Sequence, residues 1–379
     1  VNRNEEIMIE RQLHTQISEK LSTGRAILVI GPRRVGKTTL LNAFLKNKSY
    51  LFLDGDDPKV RELLTNANTE LLKTILGKNE SVFIDEAQRI PNIGLTLKII
   101  TDQFKNVQLF VSGSSALDLN STINEPLTGR KWDFQLFPIS WQELENHLGY
   151  VAAAQQLETR ILYGMYPEVI THQGEEIDYL KELSDSYLYK DLLSYGGIRK
   201  PEVLEKLVRA LALQIGNEVS YNELSQLIGI DKNTVSNYID LLIKTYVIFK
   251  LPSFSRNLRN EIKTNQKIYF YDTGIRNMVI GNFNSLENRN DKGALWENFL
   301  ISERLKQRFY TKSIANAYFW RTRIQQEIDY VEEGSGKITG YEFKWNPKTK
   351  IKKHPIFQET YNADIEMVSQ DNFRNFILA

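Results

Sequence analysis

AILVIGPRRVGKTTL, Ala26–Leu40, is an apolar run that stops at a glycine, passes through a polar loop and resumes as a helix. It reads as strand, phosphate loop, helix. Gly31, Gly36, Lys37 and Thr38 meet the spacing G-x-x-x-x-G-K-[ST], and each position has a physical reason. The glycines let the backbone fold tightly, so that successive N–H groups and the positive end of the following helix dipole converge on one anion. Lys37 supplies a point charge for β- and γ-phosphate oxygens, and Thr38 a hydroxyl for Mg²⁺. The candidate nucleotide contacts are Gly31, Pro32, Arg33, Arg34, Val35, Gly36, Lys37, Thr38 and Thr39.

Working outward, 379 residues exceed what one hydrophobic core usually serves, so two or three domains are expected. No apolar run approaches the roughly 20 residues of a membrane-spanning helix. The charged start NRNEEIMIERQL is unlike a signal peptide, so a cytoplasmic protein without membrane contact is expected. The absence of cysteine excludes disulfides, thiolate catalysis and Cys-type zinc sites, and four scattered histidines argue against a His-based metal centre. A net charge of +1 supplies no global field for nucleic acid, which would have to be bound through local patches.

A helix is expected within residues 5–22, before the first strand, and another over 37–45. Tyr50–Leu53 reads as a short buried strand, followed by a polar loop and two helices; this alternation is the signature of a parallel sheet. Ser81–Glu86, SVFIDE, is a strand ending in two acids, where open α/β sheets place their ligand groups. Asp85 is suited to hold Mg²⁺, and Glu86 to polarise an attacking water. The strand Val107–Val111 runs into Ser112-Gly113-Ser114-Ser115; Ser114, with Ser112 close behind, either senses the γ-phosphate or belongs to a turn capping a helix. Arg130, in a turn before the strand Trp132–Leu136, either stabilises transition-state charge or pairs with a surface acid.

Gly31–Thr38, Ile84-Asp85-Glu86-Ala87-Gln88, Val111-Ser112-Gly113-Ser114, and Leu127-Thr128-Gly129-Arg130 with Pro138-Ile139-Ser140-Trp141 together resemble the bacterial and archaeal AAA+-type ATPases related to the STAND and origin-recognition groups. The resemblance implies a core over residues 1–150. Its five-stranded sheet would have the two Walker strands separated by the sensor strand. It also implies a helical lid over 151–200, with ATP and Mg²⁺ as cofactors. Gly164-Met165-Tyr166-Pro167 is similar to the lid's proline motif, making Pro167 a candidate adenine contact; a buried proline kink between helices is the other reading. A homo-oligomer is compatible with this resemblance, but pore loops of a processive motor are not evident.

Residues 201–271 read as a winged-helix module. Leu224, Leu227, Ile228 and then Val235, Ile239, Leu242 mark two amphipathic helices around Gly229 and Asp231. Lys232, Thr234, Ser236, Asn237 and Tyr238 are expected to face outward, and Arg256, Arg259, Lys263 and Lys267, in and beside the wing, to suit phosphate contacts. The module is either a DNA contact or a rigid spacer.

From residue 272 onward a third unit is expected, an amphipathic helix over 294–308 and then three strands over 318–321, 326–331 and 338–344. Asp329, Glu342 and Lys344 alternate with apolar neighbours and can share a site with Glu297 of the helix, an oxygen-rich pocket for Mg²⁺ or Mn²⁺. These residues resemble the PD-(D/E)xK nuclease superfamily, with a restriction-endonuclease-like α/β fold implied for 272–379, although Ile328 stands where the family has proline. The expectation is thus an ATPase whose nucleotide state controls a DNA-acting nuclease-like module, or an ATP-gated regulator of nucleic acid or protein in which that module is silent.

Overall fold

The computed structural model describes residues 8–46, 48–114, 126–185, 200–255, 266–322, 324, 326–351 and 354–378. The described chain forms two compact units, Val1–Ile139 with Lys244–Tyr246, and Ser140–Ile243 with Val247–Ala379.

In the first unit, five short runs pair side by side: β1 (Ala26–Ile30), β2 (Tyr50–Asp54), β3 (Ser81–Asp85), β4 (Gln108–Gly113) and β5 (Lys131–Gln135). Their spatial order is β2-β3-β4-β1-β5, all parallel. β4 lies between the strands that carry the phosphate loop and the acid pair, so the two loops open at one end of the sheet. β1, β3 and β4 are almost wholly buried, whereas β2, at one edge, leaves Tyr50 and Phe52 exposed. Crossover helices alternate with the strands, as parallel pairing demands. Asp57 caps the helix Pro58–Leu64 and Asn68 the helix Thr69–Leu76, each accepting a backbone N–H. Leu28, Val82, Ile84, Leu72, Leu97 and Val111 meet in one apolar core.

The second unit opens with a capping box. Ser140 accepts from Glu143 N–H, and Glu143 returns the bond to Ser140 N–H, so the helix Trp141–Leu148 starts firmly. Within residues 150–183, where a lid is expected, lie the helices Tyr150–Gln155, Leu157–Tyr163, Pro167–Thr171 and Glu176–Leu183. These pack within this unit, where Asn277 Nδ2 donates to Leu162 O (2.8 Å) and Met165 N–H donates to Asp272 (2.7 Å). Next come the helix Pro201–Leu213, β6 (Glu218–Val219), the helices Tyr221–Ile228 and Lys232–Lys244, β7 (Ile248–Pro252) and β8 (Gln266–Phe270). The strands pair antiparallel in the order β6-β8-β7. Asp231 caps the helix Lys232–Lys244, accepting from Asn233 and Thr234 N–H at 2.9 and 3.0 Å. Tyr238 is buried among the core residues of this helix, contrary to its expected outward position, because it falls on the same face as Val235, Ile239 and Leu242. Arg256, Arg259 and Lys263 lie outside the described residues.

The last part of the unit is the helix Lys292–Tyr310 and a four-stranded sheet: β9 (Asn316–Arg321), β10 (Glu327–Gly334), β11 (Lys337–Phe343) and β12 (Asp364–Val368). The order is β12-β11-β10-β9, with β12 parallel to β11 and the rest antiparallel. β10 and β11 are joined by Ser335-Gly336, both at positive φ (52° and 77°), the two-residue turn that matches strand twist. Ser253, just past β7, bridges Phe319 of β9, so the smaller sheet abuts the edge of the larger one.

Candidate nucleotide site and the carboxy-terminal acid pocket

The phosphate loop is held by crowding as well as by its glycines. A Cβ on Gly31 would lie 2.0 Å from Leu136 O, so no side chain fits where β1 leaves the sheet beside the end of β5. Gly36, at φ 89°, stands immediately before the helix Lys37–Leu45, whose first turn carries no acid and whose N-cap offers no side-chain acceptor. Lys37, Thr38 and Thr39 occupy that first turn, leaving backbone donors directed at whatever anion the loop encloses. Val35 is fully buried, Arg33 half-buried and Arg34 exposed at φ 57°. Lys37 is buried and donates to Gly31 O (3.0 Å) and Pro32 O (2.7 Å), which folds its ammonium back over the loop.

Across the sheet, Asp85 ends β3. It accepts from Thr38 Oγ1 at 2.8 Å, from Ser112 Oγ, and from Glu86 N–H at 3.1 Å. A threonine hydroxyl and a carboxylate already in contact form an oxygen pair that suits Mg²⁺ beside a phosphate. Glu86 is held at φ 46°, in the left-handed region, which turns its side chain away from Asp85's partners. Its carboxylate accepts from Ser114 Oγ (3.1 Å) and from Gln88 Nε2, and Gln88 donates in turn to Ser114 Oγ (2.8 Å). Ser112 and Ser114 thus both touch the acid pair, one residue each.

Arg130 takes the second of its two expected roles, pairing with a surface acid. Its backbone carbonyl accepts from Ala26 N–H, at the start of β1, whereas Gly31 lies at the other end of that strand. Five residues of strand separate the two, about 17 Å at the usual rise. Its Nε instead pairs with Asp102 Oδ1 at 2.6 Å, which raises the guanidinium and lowers the carboxyl. This chain's Arg130 therefore does not reach its own phosphate loop. Pro167 sits at the first position of the helix Pro167–Thr171, half-buried in the second unit.

Two supporting residues carry no recognisable sequence signal. Gly55, just past β2, receives the acid pair: its N–H donates to Asp85 O (2.9 Å), and a Cβ there would stand 2.4 Å from Glu86 O. Buried Arg11 donates to Val35 O and to Phe137 O, both at 2.6 Å, tying the segment before the first strand to the phosphate loop.

In the second unit the four expected residues do come together. Asp329 of β10 and Glu342 of β11 stand one step beyond the antiparallel pair Tyr330–Tyr341. Lys344 lies 2.7 Å from Glu342 Oε2 and 3.7 Å from Asp329 Oδ2. Glu297, on the helix Lys292–Tyr310, lines with Asp329 and Lys344 an open cavity of about 720 Å³. Burial, and then the nearby Glu297 and Glu342 carboxylates, push Asp329 up to about 7, against the opposing pull of Lys344 and Lys267. Lys267, expected at a phosphate-facing wing, is instead buried and pairs with Glu297 (3.1 Å) and Glu327 (2.6 Å). Among the described residues no group of three or more His, Cys, Asp or Glu side chains is arranged to hold a metal ion. The expected Mg²⁺ or Mn²⁺ site on Asp329 and Glu342 does not fit this arrangement: beyond Lys344, which was expected there, a second ammonium from Lys267 engages Glu297, and no metal-holding cluster forms among the described residues.

The first unit is an α/β fold whose parallel five-stranded sheet matches that of P-loop NTPases. Residues 23–145 match the family described as AAA domain. Residues 154–286 and 292–374 match two families, each described as a domain of unknown function. An uncharacterized protein of Mycobacterium tuberculosis is 26% identical over 343 residues, covering 89% of this chain and 74% of its own length. An uncharacterized protein of Methanocaldococcus jannaschii is 25% identical over 349 residues, covering 86% of this chain and 76% of its own. Among solved structures, a Walker-type ATPase of Pyrococcus abyssi superposes with a TM-score of 0.51 at 16% identity, over 73% of this chain and 97% of that one. That likeness is one of fold. No helix among the described residues is long and apolar enough to cross a membrane.

Proposed function

We propose that the chain binds ATP with Mg²⁺ and hydrolyses it. The observation that carries this is the contact of Thr38 Oγ1 with Asp85, beside buried Lys37 and the Glu86–Gln88–Ser114 cluster, all where the strands of a parallel sheet end. Thr38 and Asp85 would hold Mg²⁺, which neutralises phosphate charge. Lys37 binds the phosphates as a point charge, and the loop N–H groups orient them. Glu86 takes the proton of a hydrolytic water, with Ser114 and Gln88 fixing its carboxylate. Lys37→Ala removes charge-assisted bonds worth about 1.5–3 kcal/mol each, so ATP affinity should fall about a hundredfold or more. Glu86→Gln keeps the shape without the base, so binding should persist while turnover falls on the order of 10²–10⁴-fold. Titration calorimetry and phosphate release measure the two effects; wild-type behaviour in either variant would remove the assignment of that residue.

The helix–strand–helix–helix–strand–strand order of residues 201–270 supports a winged-helix module. The helix-and-sheet layout of residues 292–368, with Glu297, Asp329, Glu342 and Lys344 gathered, supports a nuclease-like fold. The ion pairing of those acids favours the second reading: ATP binding and turnover govern a module that contacts nucleic acid or protein, while the nuclease-like pocket cuts nothing. DNA incubated with the protein, Mg²⁺ and ATP should therefore stay intact, and Mg²⁺-dependent cleavage lost in Asp329→Asn would reverse this reading.

A further inference from the structure

Each of the three acids of the pocket, Glu297, Asp329 and Glu342, already has at least one carboxylate oxygen engaged by a protein group. Glu297 Oε1 accepts from Lys267 Nζ (3.1 Å) and from the Tyr269 hydroxyl. Asp329 Oδ2 accepts from Phe343 N–H at 2.8 Å. Glu342 Oε2 accepts from Lys344, and its Oε1 lies 3.1 Å from His354 Nε2. Lys267 is 1% exposed, and its far side faces the Phe319 ring, with Nζ 5.3 Å from the centroid. Burial alone would discharge such a lysine; Glu297 and Glu327 outweigh it and hold the ammonium above its usual range. Lys267 reaches Glu297 and Glu327 from β8, a strand of the other sheet of this unit, so the cation comes from outside the strands and helix that carry the acids.

We infer that Lys267 is a built-in counter-ion that takes the place of a divalent metal in this pocket and keeps metal out. Divalent ions need carboxylate oxygens at about 2.0–2.6 Å. Glu297 Oε1 cannot offer that while an ammonium and a hydroxyl share it. Removing the ammonium leaves Glu297 with the neutral Tyr269 hydroxyl and Glu327 with Arg321 at 3.7 Å, so Glu297 stands next to Asp329 without its cation and a cation from elsewhere is favoured there. The inference rests on the reading of this pocket as nuclease-like and silent, and it adds the residue that silences it.

The test is a Mn²⁺ titration of the full chain without nucleotide, followed by electron paramagnetic resonance of the free ion, on wild type, Lys267→Met and Lys267→Met/Glu297→Gln. Wild type should show no site that depends on Glu297. Lys267→Met should gain one Mn²⁺ equivalent at sub-millimolar concentration, lost again in the double variant. Should Lys267→Met fail to fold alone, millimolar Mn²⁺ should restore its circular dichroism. Wild-type Mn²⁺ binding that disappears in Glu297→Gln would overturn the inference, as would a folded Lys267→Met that gains no ion, or an unfolded one that Mn²⁺ does not restore. ATP turnover of the wild-type preparation is read in parallel, so failure of the ATPase reading shows separately. Metal-dependent DNA cleavage by wild type would count against the silent reading itself.

Discussion

Gly55 shows how a nucleotide site depends on a residue with no chemistry of its own. A methyl group there would collide with the carbonyls of both Asp85 and Glu86, 2.9 and 2.4 Å away, and backbone at that distance yields only by moving the acid pair. Gly55→Ala should therefore lower ATP turnover about tenfold and cost ~1–3 kcal/mol of stability, as overpacking does. Steady-state hydrolysis and a urea unfolding curve measure the two. At Asp329 the expected effect is on pH dependence. Its carboxyl is raised to about 7 from 3.8 by burial and neighbouring acids, so the folded state holds a proton that the unfolded chain releases. Stability from this group is fully present below pH ~4 and is lost as pH rises through ~7. Asp329→Asn keeps an acceptor and never ionises, so its stability relative to wild type should improve between pH 5 and pH 8. Unfolding midpoints at the two pH values check the sign.

At the scale of elements, local signals and long-range ones separate cleanly. The strand, loop and helix over residues 26–45 and the acid-tipped strand 81–85 are legible, because strand period, glycine-loop chemistry and helix periodicity are written within a dozen residues. Boundaries shifted by a few residues, most at the first helix, which occupies only Leu13–Ser18. β12 was not read at all. It is an edge strand with alternating exposure, DIEMV, whose pairing to β11 is parallel and spans the helix Pro355–Tyr361. Lys267 differs from expectation for a related reason: next to a wing a lysine suggests phosphate, and only the approach of Glu297 and Glu327, from a helix and a strand further along the chain, turns it inward. Arg11 and Gly55 likewise act on backbone far away in the chain. The cap of the helix Lys232–Lys244 gives a test at this scale. The Thr234 hydroxyl first, and then the two backbone N–H groups that Asp231 accepts, hold its carboxyl below the usual range. Asp231→Ala should cost about 1 kcal/mol, read from chemical denaturation, with Asp231→Ser recovering most of it.

Across the whole molecule, the two units have separate cores: one built around Leu28, Ile84 and Val111, another around Trp320, Ile328 and Phe357. Calorimetry should accordingly resolve two unfolding transitions. Mg·ATP at a hundred times its Kd should stabilise only one of them, by about 2.7 kcal/mol, and Lys37→Ala should abolish the shift. Movement of both transitions together would mean that the units unfold as one.

Arg11 changes what counts as the edge of the nucleotide site. Its guanidinium grips the carbonyls of Val35 and Phe137, so the segment ahead of the first strand braces the phosphate loop from behind. For protein engineering, residues 8–18 are thus a wall of the site rather than an appendage. A chimera that grafts this parallel sheet onto another amino-terminal segment would have to carry the arginine with it.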